Sequence, residues 1–150
     1  MGISILDIRQ KIRYIVMIND PPHRVALSLG VGLFIGMSPF LGLHTIIGIA
    51  AAWIFKLNKF VTIVGVYVTN PWTIIPIYAF ATWFGAKLLN IQEIIPDINW
   101  AEASLSQIAN EMKSLLAPFL LGTTLLGLIS GIAGYMIIYI LMNRYKKGYK

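Results

Sequence analysis

The 150-residue chain has no cysteine, so disulfides, thiolate metal sites and cysteine nucleophiles are excluded, although this alone does not identify a compartment. Charge is scarce as well. Asp, Glu, Lys and Arg make up 12% of the residues against 57% hydrophobic, and a soluble protein of this size needs far more polar surface. Three stretches hold no charged residue: Val25 to Phe55, Phe60 to Ala86 and Ser114 to Asn143. Each exceeds the roughly 18 to 20 apolar residues of a membrane span. With no carboxylate inside them, these runs contain no acid/base pair for hydrolysis, no cation-coupling Asp or Glu, and no His-Glu-x-x-His or comparable metal spacing. The sequence therefore predicts an all-α integral membrane protein that is not an enzyme and uses no metal or cofactor.

The opening residues ISILDIRQKIRYIVMIND carry Asp7, Arg9, Lys11 and Arg13 and are followed by no small-residue cleavage site, so they do not read as a secretory signal, and the N-terminus is expected to stay. The net charge of +6 is not placed for nucleic acid. Arg9, Lys11, Arg13 and Arg24 precede the first run, Lys56 and Lys59 flank the break before the second, and Arg144, Lys146, Lys147 and Lys150 follow the third. Between the second and third runs Glu93, Asp97, Glu102 and Glu111 dominate. Basic residues beside membrane segments follow the positive-inside bias and attract anionic lipid headgroups. Both termini and the Lys56/Lys59 turn are thus expected in the cytoplasm, with residues 91 to 113 on the far side.

Five parts follow. Residues 1 to 20 contain Ile5, Ile8, Ile12, Ile15 and Val16 at helical spacing, an interfacial amphipathic helix or one packed on a partner. Residues 21 to 90 form the core, which Asp20 is expected to cap ahead of Pro21-Pro22. The run Val25 to Phe55 is too long for one crossing and short for two, and Ser38-Pro39 divides it near its midpoint. This predicts a Pro-broken helical hairpin, re-entrant in the sense that it leaves by the face it entered. The second run breaks at Asn70-Pro71, giving a half-helix or a broken crossing continued by Trp72 to Leu89. Residues 91 to 116 read as an acidic segment with an amphipathic helix opened by Asn99 and Glu102. Residues 117 to 143 read as a transmembrane helix beginning at Pro118, and residues 144 to 150 as a basic tail. Thr123, Gly127 and Gly131, like Gly32 and Gly36, lie four apart, a small-residue ridge for contact within the chain or between copies.

Ser38-Pro39 and Asn70-Pro71 share one grammar. Ser and Asn cap helix N-termini, and proline at the first helical position has no N–H to leave unpaired. A helix start at membrane depth offers free N–H groups and a positive dipole end to an anion, and broken helices meeting in mid-membrane recur in transporter binding sites. The candidate substrate-binding residues are Arg24, Ser38, Pro39, Gly42, His44, Asn70, Pro71 and Thr73, with His44 as a proton-dependent donor. The alternative is that both pairs are plain interhelical turns at the surface of short spans and that His44 bonds a neighbouring helix.

From Pro21 to Leu89 the chain resembles a bacterial and archaeal membrane family known as domain of unknown function 2062. The resemblance rests on PPHRVALSLGVGLFIGMSPFLGLHT, on Asn58 in KLNK, on VTNPWTIIPIYAF and on Gly85. The Pro-x-x-Gly turn is here Pro39 to Gly42, and the Asn-Pro-x-Thr-x-x-Pro element is Asn70 to Pro76. The resemblance implies a prokaryotic inner membrane. Through relatives fused to glycosyltransferases that use polyprenyl phosphates, it also implies a link to carrier lipids. The expected function is a small homo-oligomeric transporter or flippase for an anionic, phosphate-bearing substrate. The alternatives are a scaffold that recruits a glycosyltransferase, and an ion channel.

Overall fold

The structure, a computed structural model, describes residues 20–40, 42–91 and 105–147, with side chains in the last stretch for 113–144. Among these residues it is all-helical: α1 (Pro22–Met37), α2 (His44–Ile54), α3 (Lys59–Val66), α4 (Ile74–Leu88) and α5 (Leu105–Lys147). The expected helix within residues 1 to 20 and the helix start at Asn99 and Glu102 lie outside the described residues.

Local chemistry sets the helix ends. Pro21, extended at φ −62° and ψ 145°, occupies the N-cap position of α1. That leaves Asp20 one position too early to cap, contrary to the sequence expectation. Its carboxylate instead pairs with Arg24 at 3.3 Å and accepts from Asn58 Nδ2 at 2.7 Å. α1 stops at Ser38, extended at ψ 155°, because a residue before proline is driven out of the α region. Gly42, at φ +84°, then turns the chain. α2 and α4 end alike. Lys56 and Asn90 adopt left-handed φ of 51° and 57°, and Leu57 N donates to Ala52 O at 2.8 Å as Ile91 N does to Ala86 O at 2.9 Å. Both ends are Schellman turns.

α1 and α3 run parallel with a constant offset. Asn58 N donates to Ser28 Oγ, Gly32 lies against Thr62 and Gly65, and Gly36 against Val66. α2 returns antiparallel beside α3, with Gly48 on Val66 and the His44 ring edge-on to Tyr67. The hairpin closes where it began, since Arg24 Nε donates to Lys56 O at 2.6 Å. α4 keeps the direction of α3, so α3, the Asn70-Pro71 break and α4 form one interrupted path. α5 runs antiparallel to that path and to α1, with Gly131 on Gly30, Gly127 on Phe34, Gly122 on Ala81 and Pro118 against Gly85. Val25, Val61 and Met142 form a buried cluster, which brings the Arg24, Lys56, Lys59 and Arg144 ends of four helices to one end of the molecule.

α5 is a single helix of 43 residues with Pro118 inside it, where the sequence suggested two helices meeting at that proline. Pro118 is fully buried, and α4 packs backbone to backbone on it at Gly85. That contact holds the helix through a residue that costs about 3 kcal/mol in a helix interior. Lys113–Arg144 within α5 is long and apolar enough to cross a membrane; α1, α2 and α4 are apolar but shorter, at 16, 11 and 15 residues. Packing is by small side chains. Ala26, Ser28, Ala52, Thr62, Ala81, Ala86 and Thr123 are buried, whereas Trp53, Trp72, Ile75 and Ile132 face outward.

Candidate functional site

The two breaks, 32 positions apart in sequence, meet. Thr69 Oγ1, just before the second break, donates to Gly36 O in the last turn of α1 at 2.5 Å. From the first turns of α4, Tyr78 OH donates to Ser38 O at 2.8 Å, and the Tyr78 ring stands edge-on to Phe119 with centroids 5.1 Å apart. With Phe34 against Gly127, the junction lies alongside residues 119 to 127 of α5. That is inside its apolar stretch and about 25 to 38 Å from Arg144 at 1.5 Å per residue.

The breaks are built differently. Ser38 does not cap the following helix: its hydroxyl donates back to Ile35 O at 2.5 Å, closing α1, and α2 starts after Leu43 with no side-chain cap. The five residues of the Pro39 turn separate Ser38 from the helix it was expected to open. Asn70 does act as a cap, of the turn at residues 71–73 that leads into α4, whose own N-cap position is Thr73 and carries no side-chain cap. Asn70 Oδ1 accepts from Trp72 N at 2.9 Å and Thr73 N at 3.1 Å, while Thr73 Oγ1 accepts from Asn70 N at 2.9 Å and donates to Val68 O at 2.9 Å. This is a reciprocal capping box with threonine in the role usually taken by Glu or Gln. Pro71 occupies the position where an N–H would be idle. The N–H groups of Trp72 and Thr73 are therefore held by the chain's own amide oxygen.

Of the eight candidate residues, Ser38, Pro39, Gly42, His44, Asn70, Pro71 and Thr73 lie at or beside this junction. Arg24 does not. It stands 14 residues up α1 from Ser38, about 21 Å away, in a second polar cluster. There Ser28 Oγ donates to Arg24 O at 2.6 Å, and Asn58 Oδ1 accepts from Val61 N at 3.1 Å to cap α3. Beside this network lies an open pocket of about 520 Å³ lined by Arg24, Ala52, Trp53, Ile54, Lys56, Leu57 and Lys59. The sequence reading used Lys56 and Lys59 only to orient the chain and Asn58 only as part of a motif. The basic turn was visible, but its approach to Arg24, 32 residues earlier, was not. Among the described residues no group of three or more His, Cys, Asp or Glu is placed to hold a metal.

These features define a class: a helical assembly on one long apolar helix, with two interrupted helices joined at their breaks. The chain belongs to the family of uncharacterized proteins conserved in bacteria, DUF2062, whose model matches residues 8–149, well beyond the Pro21 to Leu89 segment that carries the motifs. No curated protein and no solved structure matches the chain.

Proposed function

We propose that this protein is a small oligomeric integral membrane transporter or flippase for an anionic, phosphate-bearing substrate of the polyprenyl-phosphate type. It sits multi-pass in the prokaryotic inner membrane with both termini cytoplasmic, and it is not an enzyme. The observation that carries this reading is the meeting of the Ser38-Pro39 and Asn70-Pro71 breaks partway along the apolar helix. Irregular backbone at such depth is tolerated where protein covers it or where it lines a cavity, and paired helix breaks are how many carriers build a midplane site. The packing supports the membrane setting. Small residues between helices and large apolar ones outside suit lipid better than water, and the basic ends gathered on one side suit a cytoplasmic face.

In this reading Asn70 Oδ1 holds the place of a phosphate oxygen on the N–H groups of Trp72 and Thr73, and the substrate competes with it. Substitution of Asn70→Ala together with Pro71→Ala changes the rate of lipid scrambling or flipping in reconstituted vesicles. A rate equal to wild type sinks the proposal.

A second reading, a non-transporting scaffold for a glycosyltransferase, is favoured by the same capping box, since a fully bonded helix start needs no ligand. Its partner would dock elsewhere than on the Gly127 and Gly131 ridge, which α1 already occupies. A stoichiometric partner that co-purifies with both wild type and the Asn70→Ala variant is the result that would select it.

A further inference from the structure

The polar cluster at the other end of the molecule is not used by the junction. Arg24, Lys56 and Lys59 converge on the 520 Å³ pocket from the start of α1 and the turn between α2 and α3. Arg24 is partly neutralised by Asp20; Lys56 and Lys59 have no ion-pair partner among the described residues. The pocket is therefore net cationic. Its other wall is apolar, and Trp53 and Ile54 are 74% and 64% exposed. Lys56 adds an independent sign. It occupies the left-handed position of a Schellman turn at φ 51°, where glycine is the residue of lowest strain, and strained non-glycine positions mark candidate functional sites. The chain holds an ammonium there at a conformational cost.

We infer that this pocket binds the phosphate headgroup of an anionic membrane lipid, with Lys56 and Lys59 on the phosphate and Trp53 and Ile54 against the start of the acyl chains. The apolar wall selects a lipid over a free anion, because inorganic phosphate gains nothing from Trp53 or Ile54. This rests on the membrane placement proposed above and not on transport, so binding here and flipping at the junction succeed or fail separately.

The test uses the full chain in a neutral detergent, titrated with short-chain phosphatidylglycerol, phosphatidylcholine or inorganic phosphate, and followed by thermal unfolding and by native mass spectrometry of bound lipid. Phosphatidylglycerol is expected to bind wild type and raise its melting temperature, with phosphatidylcholine weaker. Lys56→Gly is expected to raise the melting temperature without lipid, by relief of backbone strain, yet bind phosphatidylglycerol about fivefold more weakly. Lys59→Gln weakens binding by a similar factor with the lipid-free melting temperature unchanged. The opposite signs in Lys56→Gly exclude simple misfolding as the cause of weaker binding. Equal phosphatidylglycerol binding by wild type and a Lys56→Gly/Lys59→Gln double variant overturns the inference, as does stabilisation by inorganic phosphate equal to that by the lipid.

Discussion

Asn70 and Thr73 show how a single side chain can decide whether a break is a site or a seal. Asn70 Oδ1 satisfies two N–H groups and Thr73 Oγ1 returns a bond to Asn70 N, so each residue is worth its full effect only while the other is present. Asn70→Ala should cost about 1 kcal/mol of stability. The Asn70→Ala/Thr73→Ala double variant should lose less than the two single losses added together, read as melting temperatures in detergent; strict additivity would mean the two caps are independent. Gly42 is a different case. A Cβ there meets nothing, but φ is +84°, so Gly42→Ala pays only the left-handed backbone penalty of about 1 kcal/mol and should fold with a modestly lowered melting temperature. Asn70 as a cap was readable from Asn-Pro alone. The role of Ser38 was not, because a hydroxyl both donates and accepts, and the turn length that turned it back to Ile35 O depends on Gly42.

Helix pairing rests on backbone approach at a few glycines. At Gly85 an added Cβ would meet the Pro118 carbonyl, and at Gly122 the Ala81 carbonyl; backbone cannot yield as a side chain can. Gly85→Leu should therefore separate α4 from α5, costing about 3 kcal/mol or more and showing as loss of monodisperse protein. At Gly134 the obstacle is the end of the Leu33 side chain, which can rotate, so Gly134→Ala should be well tolerated. Retention of a sharp unfolding transition by Gly85→Leu would refute this account of the interface. The ridge of Thr123, Gly127 and Gly131 was evident from spacing, but spacing does not say which neighbour fills it. Pro118 misled for a related reason: proline usually starts or ends a helix, and only the α4 backbone packed on it makes continuity possible.

The molecule as a whole places α1 and α2 as a hairpin that returns to its starting end while α3 and α4 continue past it. Because the chain has no cysteine, single substitutions give a clean labelling background. In oriented membranes, Lys56→Cys should react with an impermeant maleimide from the side that also labels Arg144→Cys, while Phe40→Cys at the tip of the hairpin should label from neither side. Labelling of Phe40→Cys from the opposite side would make α1 and α2 two full crossings. Composition and the placement of charge sufficed for the helical class, for the two breaks and for grouping the basic ends, since these follow from hydropathy, proline and capping chemistry within a few residues. The meeting of the breaks, the separation of Arg24 from them and its union with Lys56 and Lys59 needed the assembled fold. Parallel pairing of α1 with α3 at a fixed offset is set by interlocking small residues some 30 positions apart, and no local pattern encodes which glycine will face which carbonyl.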